Sequence, residues 1–207
     1  MTYDIHNKGH YHLEIDGHAL QMSDASLATI HDFLHYRIYD LKEDVKIFEY
    51  GSGVSTIWLG KTFPETKIVS VEGGKVWLGL VTKWVSDMSL SNVTVVYREA
   101  GANWRDPNAP LDREYLTELD RHDPPYDLII NDGCARGMVE RAVSDNLDRY
   151  LKPGGLYLRH DYEHFMKGDW VAPDEAEENK KEYWPVTVCG NGRWGIFAEF
   201  GGIWRRP

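Results

Sequence analysis

Hydrophobic and polar positions alternate in blocks along this chain, and the blocks predict strands and helices in turn. Apolar runs of strand length lie at 45–49, 67–72, 92–100, 126–132 and 156–161. The segments at 55–63, 75–85, 111–121 and 137–151 have helical spacing instead. Because strands that alternate with helices form parallel sheets, this order predicts a parallel sheet with helices on its faces.

The two ends of the chain depart from this rhythm. The stretch Y-H-L-E-I-D-G-H-A-L-Q-M predicts a small hairpin. After it, Leu27, Ile30, Phe33 and Leu34 fall on one helical face, with Ser23 as the predicted N-cap. We expect residues 1–44 to form a cap that packs on a single globular catalytic domain at residues 45–207.

Near the C-terminus, Y-W-P-V-T-V-C and W-G-I-F-A-E-F are joined by G-N-G-R, which predicts an antiparallel hairpin. The charged stretch Asp174–Glu182 before it is either a solvated face or a lid over a ligand. The predicted fold class is α/β: a Rossmann-like doubly wound sheet of about seven strands, mostly parallel with an antiparallel C-terminal hairpin strand.

Composition narrows the function classes. Apolar residues make up 42% and charged residues 27% of the 207 residues, which is ordinary for a globular protein. The formal net charge of -10 argues against binding to a nucleic-acid backbone. No apolar run is long enough for a membrane span, no signal peptide is evident, and Cys134 and Cys189 do not form a disulfide framework. We therefore expect a cytoplasmic protein.

Two glycines, Gly51 and Gly53, follow the first parallel strand, at the edge of the sheet where ligands bind. Glycine allows a sharp turn and a close approach of a ligand to the backbone. A dinucleotide fingerprint would need a third glycine where Thr56 stands, and Glu49 has the wrong charge beside a diphosphate. An acid there favours a cationic or hydrogen-bond-donating ligand.

The motif E-Y-G-S-G-V-S-T resembles the first motif of class I S-adenosylmethionine-dependent methyltransferases. Glu72 ends the second strand 21 residues after Gly51, where an acid binds ribose hydroxyls. The motifs N-D-G and K-P-G-G-L match further positions of the family, and the resemblance covers about Val45 to Phe200. It implies S-adenosyl-L-methionine as the cofactor. The motifs V-S-V-E and D-G-C-A-R are similar to a subgroup associated with O-methylation of sugars or small hydroxylated metabolites, which implies a small-molecule or glycan acceptor.

The resemblance also implies which residues bind the cofactor. Glu49 is expected to reach the methionine amino group, Glu72 the ribose, and Glu99 with Ala100 the adenine edge. Trp77 either borders the adenosine or packs under its helix. The predicted cofactor-binding residues are Glu49, Gly51, Gly53, Ser55, Thr56, Glu72, Gly73, Glu99, Ala100 and Asp132.

The catalytic candidates lie after the fourth and fifth strands, because a hydroxyl acceptor is a weak nucleophile and needs a base or a metal. They are Asp132, Arg136, His160 and Asp161. Free histidine has a pKa of about 6.5, so His160 is either the base or a group that bonds Asp132 or Asp161 and shapes the pocket. Asp132 is a base, a holder of the amino group or a metal ligand. Arg136 either anchors the acceptor or is a solvated residue at the start of a helix.

A magnesium site is the tentative expectation at Asp132 and Asp161. Catechol-type and macrocin-type members of the family place carboxylates there around Mg²⁺, and hard cations prefer oxygen ligands. This chain has His160 where those members carry another oxygen ligand, and neutral imidazole suits Mg²⁺ poorly.

Three alternatives stay open from the sequence. The first is a non-catalytic binding module on the same fold, and the second is an RNA methyltransferase, which the acidic charge disfavours. The third is a nucleotide-dependent oxidoreductase on a similar fold.

Overall fold

The computed structural model describes residues 13–22, 24–100, 113–160 and 201–205. The strands are β1 (Glu14–Ile15), β2 (His18–Ala19), β3 (Lys46–Tyr50), β4 (Lys67–Glu72), β5 (Val93–Tyr97), β6 (Tyr126–Asn131), β7 (Leu151–His160) and β8 (Gly201–Arg205). The helices are α1 (Asp24–His35), α2 (Val54–Thr62), α3 (Lys75–Asp87), α4 (Arg113–Thr117), α5 (Arg136–Asp145) and α6 (Leu147–Tyr150). A π-helical turn, Tyr36–Asp40, follows α1, and a 3₁₀ turn, Glu118–Arg121, follows α4.

The main sheet has the strand order β5-β4-β3-β6-β7-β8. Strands β3 to β7 pair in parallel, and β8 pairs antiparallel with β7. The chain runs outward from β3 to β5 and then crosses to begin β6 on the other side of β3, so the strand order reverses between β3 and β6. Ligands of such sheets bind at the carboxyl ends of the strands beside this reversal. The predicted α/β, doubly wound, mostly parallel fold is confirmed.

Both faces of the sheet are packed, because neighbouring side chains on a strand point to opposite faces. On β3, Ile47 joins a cluster with α1, α2 and α3, whereas Phe48 and Tyr50 join a second cluster with α4 and α5. All six residues of β6 are buried. This agrees with the near-continuous apolar pattern expected of a strand covered on both faces.

The N-terminal segment packs on the first face of the sheet. The predicted hairpin is present as β1 and β2, which turn through Asp16 and Gly17 with positive φ angles of 51° and 80°. Leu13, Ile15 and the buried face of α1 share one core cluster with the first strands of the sheet. The division into a cap and a catalytic domain stays a prediction.

Buried charges connect this segment to the amino edge of the sheet. Arg37 lies in the π-helical turn and donates to Asp127 Oδ1 at 2.8 Å. Asp127, at the start of β6, is 0% exposed. Its Oδ2 accepts the Lys46 amide at 2.7 Å and Lys152 Nζ at 2.8 Å. One carboxylate therefore joins the π-helical turn, β3, β6 and β7.

Three predicted boundaries need correction. The helix predicted over 137–151 is two helices, because the chain breaks at Asn146, whose side-chain amide donates to the Ala142 carbonyl oxygen at 3.0 Å. The K-P-G-G motif lies within β7, where the pairing with β6 shifts register, and not in a loop before the strand. The helix predicted over 111–121 tightens into the 3₁₀ turn after Thr117.

Several predicted features lie outside the described residues: the Ser23 cap, the loop at 101–110, the charged stretch 174–182 and the hairpin at 183–200. The antiparallel edge strand that the structure describes is β8, which lies just after the predicted hairpin. Across the described ranges, none of the helices has the length and apolar character that crossing a bilayer requires.

Candidate active site

A cavity of about 560 Å³ opens at the carboxyl ends of β3, β4 and β6, beside the reversal of strand order. This volume lies within the range of small-molecule sites. Its lining comes from the β2 side of the hairpin (residues 17–22), the turn at residues 51–55, the tip of β4 with Trp77, and the segment after β6 with Tyr115. The cavity therefore lies where the sequence predicts the cofactor.

The two glycines of the turn have different structural roles. Gly51 has a φ of +85°, and a Cβ there would lie 2.6 Å from the Asp132 carbonyl oxygen. Gly53 is extended, and the nearest atom to a Cβ at Gly53 is Trp77 Nε1 at 3.8 Å. The fold itself requires glycine at position 51, whereas glycine at 53 keeps one wall of the cavity bare.

This difference predicts opposite outcomes for two alanine variants. Gly51→Ala should lower the free energy of unfolding by at least about 1–2 kcal/mol from the left-handed backbone alone, with the backbone clash in addition. Gly53→Ala should leave the urea midpoint unchanged while its methyl group weakens binding in the cavity. Equal urea midpoints for both variants and the wild type would contradict the assignment of Gly51.

Glu72 ends β4 and lines the cavity with an 8% exposed residue surface. Its Oε2 accepts the Ser52 amide and hydroxyl, both at 3.1 Å, and its Oε1 accepts the Gly74 amide at 2.7 Å. Burial raises the pKa of Glu72, and these hydrogen bonds oppose the rise. The carboxylate therefore fixes the glycine turn to the tip of β4 at the cavity.

Glu49 lies behind the cavity and not in its lining. The residue is 0% exposed. Its Oε1 accepts the Ser55 hydroxyl at 2.5 Å, and its Oε2 accepts the hydroxyls of Thr56 at 2.5 Å and Ser70 at 2.7 Å. Burial raises the pKa of Glu49 to about 7, although the three hydroxyl groups oppose the rise.

Asp132, Arg136 and His160 come together after β6 and β7. Asp132 Oδ1 lies 2.8 Å from His160 Nδ1 and accepts Arg136 Nη2 at 2.9 Å. Asp132 and Arg136 line the cavity, whereas His160 is 6% exposed and lies outside its lining. Asp132 is therefore the member of this group that faces a ligand, with His160 as its partner.

The next residue on β7, Arg159, points elsewhere. It pairs with Glu140 on α5, and both side chains are largely buried. Burial raises the pKa of Glu140, against the opposing effect of Arg159. Arg159 is therefore a packing element between β7 and α5.

The hairpin forms a wall of the cavity that the sequence did not predict. His18 packs edge-on against Trp77 at 4.9 Å between ring centroids, and Asp16 Oδ2 accepts Trp84 Nε1 at 2.8 Å. Trp77 in turn donates from Nε1 to the Ser52 carbonyl oxygen. The D-G turn indicated a hairpin, but no local motif signals where that hairpin docks.

Tyr115 is a second lining residue that the sequence did not single out. Its hydroxyl accepts the Cys134 amide at 3.1 Å, and the side chain is 0% exposed. A Cβ at Gly133 would lie 2.1 Å from this hydroxyl. Tyr115 therefore supports the segment after β6, and its position on a short helix far along the chain gave no warning of this contact.

The predicted cofactor residues divide into two groups. Those that line the cavity are Gly51, Gly53, Ser55, Glu72, Gly73 and Asp132. Those outside the lining are Glu49, Thr56, Glu99 and Ala100. Asp161 lies outside the described residues.

The described residues do not fit a magnesium site. Among them, no three histidine, cysteine, aspartate or glutamate side chains are grouped to hold a metal ion. Asp132 Oδ1, one of the two predicted ligands, is engaged by Arg136 and His160. We therefore derive no chemical step through a metal.

The cavity does fit an adenosyl cofactor by its chemistry. Gly53 leaves a bare wall that a side chain would fill, and a carboxylate stands beside it at Glu72. These are the features needed for a ribose against an open backbone turn.

Comparison with known proteins supports the fold. No protein-family model and no curated protein matches the sequence. Among solved structures, a Staphylococcus aureus protein provisionally assigned as a caffeoyl-CoA O-methyltransferase matches with a TM-score of 0.59 at 13% identity, over 91% of this chain and 86% of that one.

Two further structures contain ligands. The O-methyltransferase TomG from Streptomyces achromogenes, in complex with S-adenosylmethionine, has a TM-score of 0.53 at 16% identity, over 89% of this chain and 79% of that one. MycE from the mycinamycin pathway, with Mg, S-adenosylhomocysteine and mycinamycin VI, has a TM-score of 0.54 at 15% identity. That match covers 90% of this chain but only 50% of MycE. The chain thus has the fold of the class I S-adenosylmethionine-dependent methyltransferases, as its sequence motifs indicate.

Proposed function

We propose that this chain is an S-adenosylmethionine-dependent methyltransferase that methylates a hydroxyl group of a sugar, glycan or other small hydroxylated metabolite. The observation that carries the proposal is the pairing of Glu72 with the glycine turn at one cavity. Glu72 holds Ser52 by two hydrogen bonds of 3.1 Å, so an acid and a bare backbone face the same space. The structural neighbours support the same reaction class.

The residues that would hold the cofactor follow from this geometry. Glu72 is suited to the ribose hydroxyls, and Gly51 and Gly53 allow the ligand to lie against the turn. Ser55 offers a hydroxyl from the first turn of α2. When bound, S-adenosylmethionine supplies a methyl group on a sulfonium centre.

The proton of the acceptor hydroxyl needs a destination, and Asp132 is the cavity-facing candidate. Among the described residues its two side-chain partners both bind Oδ1, which leaves Oδ2 for a ligand. His160 keeps the carboxylate oriented and stabilises its charge. We propose Asp132 as the proton acceptor and His160 as its positioning partner. Arg136, on the same carboxylate, would then orient the acceptor.

The acceptor class rests on the resemblance to sugar O-methyltransferases and on MycE, whose structure contains mycinamycin VI. The net charge of -10 favours a neutral or cationic acceptor over a nucleic acid. A magnesium ion, present in MycE, belongs to the proposal only through Asp161 and other residues beyond those described.

Isothermal titration calorimetry with S-adenosylmethionine tests the first half of the proposal. We expect saturable binding with a stoichiometry of one. A screen of sugar and phenol acceptors for cofactor turnover, with Mg²⁺ or with EDTA, tests the second half. No binding at high micromolar cofactor would contradict the proposed function.

Glu72→Gln is expected to weaken cofactor binding about 10- to 100-fold, because a charged hydrogen bond to the ribose is lost while the side-chain shape is kept. Glu65→Gln, an exposed glutamate at the far edge of the same strand pair, is the control. Both variants are measured by calorimetry against the wild type. Unchanged affinity in Glu72→Gln would remove Glu72 from the ribose site.

A further inference from the structure

Glu49 is a fully buried acid that the proposed reaction does not use directly. The resemblance implies that it touches the methionine amino group, yet its two oxygens accept three protein hydroxyls and it does not line the cavity. No cation pairs with it among the described residues that contact it. An acid held in this way needs a different role.

Ser55 is the hydroxyl that connects Glu49 to the cavity. Its Oγ donates to Glu49 Oε1 at 2.5 Å, and the same residue lines the cavity. A serine hydroxyl has one hydrogen and two lone pairs. While Glu49 is ionised, the Ser55 hydrogen is committed to it, and Ser55 presents only lone pairs to a ligand.

Protonation of Glu49 would reverse this arrangement. A carboxylic acid carries its own hydrogen, so Ser55 would accept from Glu49 and turn its hydrogen elsewhere. A ligand that donates hydrogen bonds, such as an ammonium group, would then lose its acceptor. The charge of Glu49 therefore sets whether Ser55 accepts or donates at the cavity.

We infer that Glu49 is a positioning residue that acts on the cavity through Ser55, so that binding of a cationic, hydrogen-bond-donating ligand is coupled to release of a proton from Glu49. This inference rests on the proposed function for the identity of the ligand. The chemistry required of the ligand is an ammonium group beside the first turn of α2, whose helix dipole also favours the ionised acid.

The surroundings of Glu49 are consistent with titration near neutral pH. Strand β4 contributes Ser70 and helix α2 contributes Ser55 and Thr56, all neutral hydroxyls. The tip of β6 contributes the negative charge of Asp132, which is itself paired with Arg136 and His160. Burial raises the pKa of Glu49 from 4.5 to about 7, with a smaller rise from Asp132.

The sign of the pH effect follows from this pKa. In the free protein a large share of Glu49 is protonated at pH 6 and little at pH 8, and a cation in the cavity selects the ionised form. Affinity for S-adenosylmethionine should therefore rise up to about tenfold between pH 6 and pH 8. Calorimetry at pH 7 in two buffers of different ionisation enthalpy should register proton release on binding.

Three matched variants separate the inference from its rivals. Glu49→Gln should abolish the proton release and leave only the ligand's own pH dependence. Ser55→Ala should do the same, because it removes the link to the cavity. Ser70→Ala removes a hydrogen bond to the same carboxylate but does not line the cavity, so it should keep the coupling and move it to higher pH. Thermal melting of each variant confirms that it is folded.

The possible outcomes are distinct. If Ser55→Ala keeps the proton release while Glu49→Gln lowers affinity equally at both pH values, Glu49 touches the ligand directly and the inference is wrong. If the wild type does not bind the cofactor at all, the proposed function fails and this inference fails with it.

A second readout needs no ligand. Since the folded-state pKa of Glu49 is raised from 4.5 to about 7, the folded protein keeps a proton there that the unfolded chain has lost within this window. Stability of the wild type should therefore fall, relative to Glu49→Gln, as the pH rises from about 4.5 to about 7. Parallel stability curves for the two proteins would overturn the inference while leaving the proposed function intact.

Discussion

Replacing Asp127 with alanine should lower the free energy of unfolding by about 3–5 kcal/mol, the usual cost of removing one partner from a buried ion pair. The carboxylate is 0% exposed and accepts from Arg37, the Lys46 amide and Lys152. Its loss leaves the largely buried Arg37 guanidinium without its partner on the sheet. Urea unfolding, followed by circular dichroism, measures the change.

Asp123 offers a matched control on the same lysine. It pairs with Lys46 Nζ at 2.9 Å, but its side chain is 91% exposed. Exposed pairs contribute at most about 1 kcal/mol, so Asp123→Ala should unfold close to the wild type. An equal loss of stability in both variants would show that the buried network has no special weight.

Asp132→Asn is expected to lower the rate of methyl transfer by about two to four orders of magnitude, the usual contribution of a general base. The amide keeps the shape of the side chain, but it does not take a proton from a hydroxyl group. If Asp132 holds the methionine amino group instead, the cofactor dissociation constant will rise while the rate at saturation changes little. Single-turnover rates and calorimetry, measured on the same variant, distinguish these two roles.

Asp145→Asn is the control for this change, because Asp145 is an exposed carboxylate at the far end of α5. His160→Asn should fall between the two variants, since it removes the imidazole but keeps an amide that can donate to Asp132. A wild-type rate in Asp132→Asn would remove it from the proposed proton pathway.

The elements that could be predicted from the sequence are those set by local pattern. The period of the apolar residues placed β3, β4 and β6 within one or two residues, and D-G at Asp16 and Gly17 placed the hairpin. The break at Asn146 could not be read, because V-S-D-N-L-D-R-Y keeps helical spacing across it. Pairing shifts, such as the irregular start of β7, depend on neighbours far along the chain.

The site shows the same division. Glu72 and the two glycines follow from their positions after parallel strands, because those ends meet at one edge of the sheet. Glu49 follows a strand in the same way, but its environment depends on Ser70, which lies opposite it only through the β3–β4 register. The docking of His18 on Trp77 likewise joins residues about 60 positions apart, beyond the reach of any local motif.

The hairpin wall has a practical consequence for experiments on this protein. Residue 17, which lines the cavity, is only a few turns of chain from any affinity tag fused at the N-terminus. Strand β8 instead pairs Gly201 with His160 near the site and runs back to Arg205 opposite Leu156, at the other edge of the sheet. A purification handle is therefore better fused after the last residue, where it leaves the mouth of the cavity uncovered during titrations.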